Sequence, residues 1–195
     1  FVWSFPFFSE LIGAVRKHLP HTRIVMGGPS ARPAMFRLAP FADPSRWPDV
    51  LLLGEGEIDA CELFSAWRHE PGERTDFGIG GTAERANAGW KIAASTAHKP
   101  ILSDLPSPHR DGLLLPGRTA SIETYRGCPM SCSFCQWGVL ETPDRIFSAA
   151  YLTAELQALA DAGTPSAQLV DAGLNLNQRA FRALAQAERE VGFFK

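Results

Sequence analysis

The chain has 195 residues, of which 45% are hydrophobic and 21% are charged, and its formal net charge is −2. This length and composition suit one substantial globular domain or two small ones. The scattered Lys and Arg residues argue against nucleic-acid binding, and no apolar run reaches the roughly 18–20 residues that cross a bilayer. Residues 1–8 are apolar but lack the features of a signal peptide, so we expect no membrane partner and a cytoplasmic location.

The first third alternates between strand and helix patterns. The predicted strands are residues 1–5, 23–26 and 49–53, and the predicted helices are residues 7–19 and 58–67. Short apolar strands separated by helices favour a parallel sheet that is covered on both faces. Ligands of such sheets bind at the carboxyl ends of the strands, and a glycine turn follows each of the last two strands.

The remainder begins with a stretch rich in Gly, Pro and polar residues, which we interpret as a linker over residues 71–118 with a short hairpin around residues 89–92. A second alternation follows. Its predicted elements are a strand at 119–124, a helix at 149–162, a strand at 167–171 and a helix at 177–191.

The cysteines form the most informative motif. Cys128, Cys132 and Cys135 have C-x3-C-x2-C spacing with no close fourth cysteine. Iron–sulfur clusters are ordinarily held by four thiolates, so three would leave one iron open to a ligand. Two other readings are a zinc site completed by a distant His or Cys61, and a disulfide with a spare thiol. Zinc sites usually have a second short pair of ligands, and nothing marks the chain as secreted, so the spacing favours a reactive cluster.

This motif, with the aromatic Phe134 before its third cysteine, resembles that of the radical S-adenosylmethionine (SAM) superfamily. The resemblance implies that the three cysteines hold a [4Fe–4S] cluster whose fourth iron chelates SAM. An electron from a donor such as flavodoxin or ferredoxin would then cleave SAM to methionine and a 5′-deoxyadenosyl radical. The positions that the resemblance assigns to SAM are Phe134, Gln136, Trp137, Gly138 and Asp171. For Asp171 the alternative is a carboxylate that caps the next turn.

The first third resembles the cobalamin-binding domain that precedes the radical SAM domain in one branch of the superfamily. The stretches that carry this resemblance are Phe1-Val-Trp-Ser4, Ile24-Val-Met-Gly-Gly-Pro29 and residues 49–57. It implies cobalamin contacts at Gly27, Gly28, Gly54, Glu55 and Gly56. The alternatives are an ordinary tight turn for the glycines and helix N-terminal carboxylates for Glu55 and Glu57. The domain's Asp-x-His-x-x-Gly motif is absent from this sequence, and we expect His18 and His21 to be solvated.

We therefore expect an α/β fold: the C-terminal part of a Rossmann-like, doubly wound cobalamin-binding domain at residues 1–70, the linker, and the first units of a radical SAM partial (β/α) barrel at residues 119–195. Because the sequence opens on Phe1 and ends on Lys195, we interpret it as an internal fragment that is inactive alone.

The function that the resemblance implies is methyl transfer from SAM to an unactivated centre of a small-molecule or peptide-derived substrate. The alternatives are a cobalamin-dependent radical cyclisation or rearrangement, and a non-catalytic iron–sulfur protein for electron transfer or sensing. A methylthiotransferase is disfavoured, because its leading domain brings three further cysteines and only Cys61 is present here. We expect Cys61 to be buried as a small hydrophobic residue.

Overall fold

The computed structural model describes residues 4–28, 30–69, 78–87, 89–93, 101–113, 117–135 and 145–194. The chain divides into two compact units, Phe1–Lys99 and Pro100–Lys195. The helices are α1 (Phe5–His18), α2 (Glu57–His69), α3 (Ala149–Asp161) and α4 (Gln178–Val191). The strands are β1 (Val25–Met26), β2 (Val50–Leu52), β3 (Thr82–Ala86), β4 (Gly89–Ile92), β5 (Ala120–Ile122), β6 (Tyr125–Arg126), β7 (Arg145–Ile146) and β8 (Ala167–Leu169). None of the helices in the described ranges has the length and apolar character needed to cross a membrane.

The first unit contains a four-stranded sheet with the order β1-β2-β3-β4. β1 and β2 are parallel, with Val25 opposite Val50, as the strand–helix alternation predicted. β3 runs antiparallel to β2 and forms a hairpin with β4, so the sheet is mixed. This hairpin falls within the range that we interpreted as a linker. It belongs to the sheet because Thr82, Ala83 and Glu84 are buried against β2.

An aromatic cluster forms much of the core of the first unit. Trp47 and Trp90 stack with ring centroids 5.3 Å apart, and Phe36 lies 5.0 Å from the Trp90 ring. Phe5 joins the cluster at 5.2 Å from Phe36 and is the first residue of α1. The predicted strand over residues 1–5 is therefore wrong at Phe5. A proline in the first turn, Pro6, suits a helix start because its missing N–H has no intrahelical partner there.

Asp49 joins three parts of the first unit. Its buried carboxylate accepts hydrogen bonds from Arg16 Nη2 of α1 at 2.8 Å, from Arg85 Nη2 of β3 at 3.0 Å, and from the Ile24 backbone N–H at 2.8 Å. Because Asp49 and Ile24 directly precede β2 and β1, this carboxylate fixes where the two parallel strands begin. Because β1 and β2 pair in parallel, the turns that follow them lie at the same edge of the sheet.

The second unit has the chain order β5-β6-β7-α3-β8-α4, with β5 and β8 parallel. Its core is mainly aliphatic: Ile122 of β5, Leu152 and Leu156 of α3, and Leu184 of α4 are all buried in one cluster. The strands and helices predicted from residue 119 onward are thus present and parallel pairing is confirmed. The Asn177 side chain caps α4 by accepting from the backbone N–H groups of Arg179 and Ala180.

A second, very short strand pair lies beside the cysteine motif and was not predicted. β6 and β7 are antiparallel, with Tyr125 opposite Ile146 and Arg126 opposite Arg145. The three cysteines lie between these strands in the sequence. The pair therefore joins the two ends of the chain segment that carries the motif, and it fixes the base from which that segment departs.

Candidate cluster and cofactor site

The cysteine segment leaves β6 through Gly127, whose φ of 103° is a conformation that favours glycine. Cys128 and Cys135 are half-buried, Cys132 is exposed, and all three are free thiols. The Cys135 backbone N–H donates to the Cys132 carbonyl at 3.0 Å. Among the described residues, no three His, Cys, Asp or Glu side chains are placed to hold a metal ion. Three free, accessible thiols on one short segment are nevertheless the donor set that an iron–sulfur cluster takes.

Tyr125 anchors the start of this segment. Its side chain is 2% exposed. Its hydroxyl donates to the Gly173 carbonyl at 2.8 Å and accepts from the Gly173 N–H at 3.1 Å. Burial raises the pKa of the Tyr125 phenol, and the charges of Asp171 and Cys128 act in the same direction. The phenol therefore stays neutral and remains a hydrogen-bond donor at physiological pH.

Asp171 follows β8 and faces the same segment. Its carboxylate accepts from the Thr124 N–H at 2.7 Å, from the Thr124 hydroxyl at 2.6 Å and from the Tyr125 N–H at 3.3 Å. Within the described ranges its donors are Thr124 and Tyr125, and none belongs to the next turn, which was the alternative reading of this residue. The SAM contact assigned to Asp171 by resemblance stays a prediction. Thr124 and Gly173 were missed, because neither belongs to a recognisable motif.

Of the other positions assigned to SAM, Phe134 alone lies among the described residues. Phe134 is 90% exposed. Gln136, Trp137 and Gly138 lie outside the described residues. Arg126, two residues before Cys128, pairs through Nε with Glu123 Oε2 at 2.9 Å. This ion pair spans the connection between β5 and β6, so it supports the base of the segment.

The two glycine turns lie side by side, because they follow the parallel neighbours β1 and β2. Gly28 has φ of 93° and Gly54 has φ of 85°, values that other residues rarely adopt. Gly27 differs, since a Cβ there would meet only Leu52, at 3.7 and 3.9 Å, which are ordinary contacts. The chain's own packing therefore does not require glycine at position 27. An exposed backbone without side chains at this edge is a surface that a large flat cofactor can approach closely.

Of the two carboxylates beside these turns, Glu57 fits the helix reading. Glu57 is in the first turn of α2, where the partial positive charge of the helix end favours an acidic side chain. Glu55 and Gly56 form the connection between Gly54 and this helix. A Cβ at Gly56 would lie 3.4 Å from Leu52 Cδ1 and 3.7 Å from Leu52 Cβ, so packing within the chain does not by itself require glycine at this position.

Cys61 is exposed, so the prediction that it is buried is wrong. The buried residues of α2 are Asp59 and Leu63, which are four apart and share one face of the helix. Cys61 lies between them in sequence and therefore points to the opposite face. His18 and His21 are both exposed, as expected.

No family model matches this chain. It is 29% identical to the cobalamin-dependent radical SAM methyltransferase TokK of Streptomyces tokunonensis, over 98% of this chain and 30% of that protein. It is 28% identical to the 2-(S-pantetheinyl)-carbapenam-3-carboxylate methyltransferase of Streptantibioticus cattleyicolor, with the same coverage. The chain thus spans about a third of the length of the curated relatives it matches.

Two solved structures of the radical SAM methyltransferase TsrM from Kitasatospora setae share this fold. Both have a TM-score of 0.66 and cover 93% of this chain and 36% of TsrM, at 20% and 19% identity. One contains tryptophan and a SAM analogue, and the other contains cobalamin and a [4Fe–4S] cluster. The homologues of this chain are cobalamin-dependent radical SAM methyltransferases, which confirms the resemblance predicted from the motifs.

Proposed function

We propose that this chain carries the cluster site and part of the cobalamin site of a radical SAM methyltransferase that methylates an unactivated centre. The observation that supports this most is the similarity to TokK, which extends over 98% of the chain and therefore includes both the glycine turns and the cysteine triplet. The substrate class that fits is a small molecule, since the TsrM structure holds tryptophan and the second curated relative is named for a carbapenam carboxylate.

Each proposed cofactor has a defined set of candidate contacts in the chain. Cys128, Cys132 and Cys135 would hold the cluster through their thiolates, and three cysteine ligands would leave its fourth iron open to SAM. When bound, the cluster supplies the electron that cleaves SAM, and cobalamin supplies a methyl carrier. Gly27 and Gly28 would receive cobalamin at the edge of the first sheet. We further propose residues 1–70 as part of a cobalamin-binding domain and residues 119–195 as the first units of a partial barrel.

The residues around the cysteines position the cysteine segment and do not themselves react. Tyr125 and Asp171 hold the start of the cysteine segment against the loop after β8. Arg126 supports the base of the segment through its ion pair with Glu123, at 2.9 Å. A one-electron donor of the flavodoxin or ferredoxin type completes the proposed system.

The test is anaerobic purification and reconstitution of the protein with iron and sulfide. Three forms are compared: the unmodified protein, Cys128→Ala, and the control Cys61→Ala, which removes an exposed cysteine outside the triplet. We expect the broad visible absorption of a [4Fe–4S] cluster in the unmodified protein and in the control, and its loss in Cys128→Ala. Equal iron content and spectra in Cys128→Ala and the unmodified protein would overturn the proposal.

A product assay then separates the proposed reaction from its alternatives. The reconstituted protein is incubated with cobalamin, reductant, candidate substrate and methyl-labelled SAM. Methyl transfer predicts 5′-deoxyadenosine together with label in the product. A cyclisation predicts 5′-deoxyadenosine without label in the product. An electron-transfer or sensor protein predicts neither.

A further inference from the structure

The connection between β5 and the cysteine segment is held by one carboxylate from a distant part of the chain. Three donors converge on Asp171: the N–H and hydroxyl of Thr124, at 2.7 and 2.6 Å, and the N–H of Tyr125 at 3.3 Å. Thr124 is 1% exposed, so water is not available to replace this acceptor. Without Asp171, a buried N–H and a buried hydroxyl would lose their partner.

The loop that begins at Asp171 also holds the far end of Tyr125. The tyrosine hydroxyl exchanges two hydrogen bonds with the Gly173 backbone, at 2.8 and 3.1 Å. Both the backbone and the side-chain tip of Tyr125 are thus tied to residues 171–173. Only Arg126 and Gly127 separate Tyr125 from Cys128. A shift of Tyr125 is therefore passed to the first cysteine over a very short distance.

We propose that Asp171 is a positioning residue for the cluster, acting through Thr124 and Tyr125 to set the place of Cys128. This inference rests on the proposed function and assigns Asp171 a role that does not depend on SAM. Partners that orient the ligands of a metal affect its retention strongly, and their loss typically costs 10–100-fold in metal affinity. The same carboxylate ties β8 to the end of β5, so formation of the second unit's sheet and placement of the cysteine segment are coupled.

The test measures how fast the reconstituted cluster is lost to an iron chelator in the absence of SAM. The variants are Asp171→Ala, the conservative Asp171→Asn, which keeps a carbonyl acceptor for the Thr124 N–H, and a control, Asp161→Ala. Asp161 is an exposed carboxylate in the same unit whose recorded partner is Gln157 Nε2 at 2.8 Å. Circular dichroism of each apo form reports whether the fold is retained.

We expect Asp171→Ala to lose its cluster about tenfold faster than the unmodified protein. Asp171→Asn should recover much of the difference, and Asp161→Ala should match the unmodified protein. Cluster loss from Asp171→Ala at the unmodified rate would overturn the inference. A difference in rate that is seen only after SAM is added would overturn it as well. If Asp171→Ala does not fold, Thr124→Val removes only the hydroxyl contact, and an unchanged rate in that variant would count against the inference. Absence of a cluster from the unmodified protein would instead refute the proposed function.

Discussion

Replacing Gly27 with alanine should separate the stability of the chain from its affinity for cobalamin. The new Cβ would lie 3.7 Å from Leu52 Cβ and 3.9 Å from Leu52 Cδ1, so it creates no clash within the protein. Alanine also restricts the unfolded chain, which stabilises proteins by about 0.4–1 kcal/mol at compatible positions. The free energy of unfolding should therefore stay the same or rise slightly. A urea titration of the apo protein measures this.

Cobalamin binding should change in the opposite direction. If the cofactor lies against the backbone of Gly27, an added methyl group costs about 1–3 kcal/mol, as overpacking does in protein cores. At 1.4 kcal/mol for each factor of ten, the dissociation constant rises about 5- to 150-fold. Spectroscopic titration with hydroxocobalamin measures this constant.

A matched variant, Gly28→Ala, distinguishes a ligand effect from a backbone effect. Gly28 has φ of 93°, so alanine there is strained by about 1–2 kcal/mol and should lower the stability of the apo protein. Gly28→Ala should thus lower the free energy of unfolding, whereas Gly27→Ala should not. An unchanged dissociation constant in Gly27→Ala would refute the placement of cobalamin at this turn.

Three further substitutions test the first unit by urea or thermal unfolding. Gly81→Ala should lower the free energy of unfolding by about 2–4 kcal/mol, because its Cβ would lie 2.1 Å from the Asp59 Oδ2 atom and its φ is 73°. Burial raises the pKa of Asp59, with two nearby glutamates adding to the effect, so its charged form destabilises the fold above that pKa. Asp59→Asn should therefore be more stable than the unmodified protein at pH 7, with a gain that vanishes as the pH falls and the acid protonates; a gain independent of pH would contradict this. Asp49→Asn should lower the free energy of unfolding by about 3 kcal/mol, because it leaves Arg16 and Arg85 without their shared anion. A decrease of less than about 1 kcal/mol would show that these two ion pairs do not stabilise the fold.

The elements that the sequence predicted correctly are those with a local signal. Helices α3 and α4 follow a clear apolar period, and Ser148 and Asn177 are side-chain caps at their starts. β2 is a short apolar run next to a turn, and β5 alternates buried and exposed residues. For these elements, the period, the cap and the burial all indicate the same structure.

The features that could not be predicted depend on residues far apart in the chain. Thr124 and Asp171 are 47 positions apart, and a single Asp after a strand gives no indication of its partner. β6 and β7 have two residues each, too few for any period to show. The β3 hairpin joins the first sheet through Thr82 and Glu84, whose polarity suggested a linker. Cys61 is exposed because the buried face of α2 carries Asp59 and Leu63, and a buried aspartate gives no apolar signal for that face.

The open iron predicted from three cysteines has a direct spectroscopic consequence. The electron paramagnetic resonance spectrum of the reduced, reconstituted protein is recorded with and without SAM, and Cys61→Ala serves as the control. Three thiolate ligands predict a cluster signal that changes when SAM is added, because the cofactor coordinates the fourth iron. A fully formed [4Fe–4S] signal that is identical with and without saturating SAM would contradict the assignment of this chain to radical SAM chemistry.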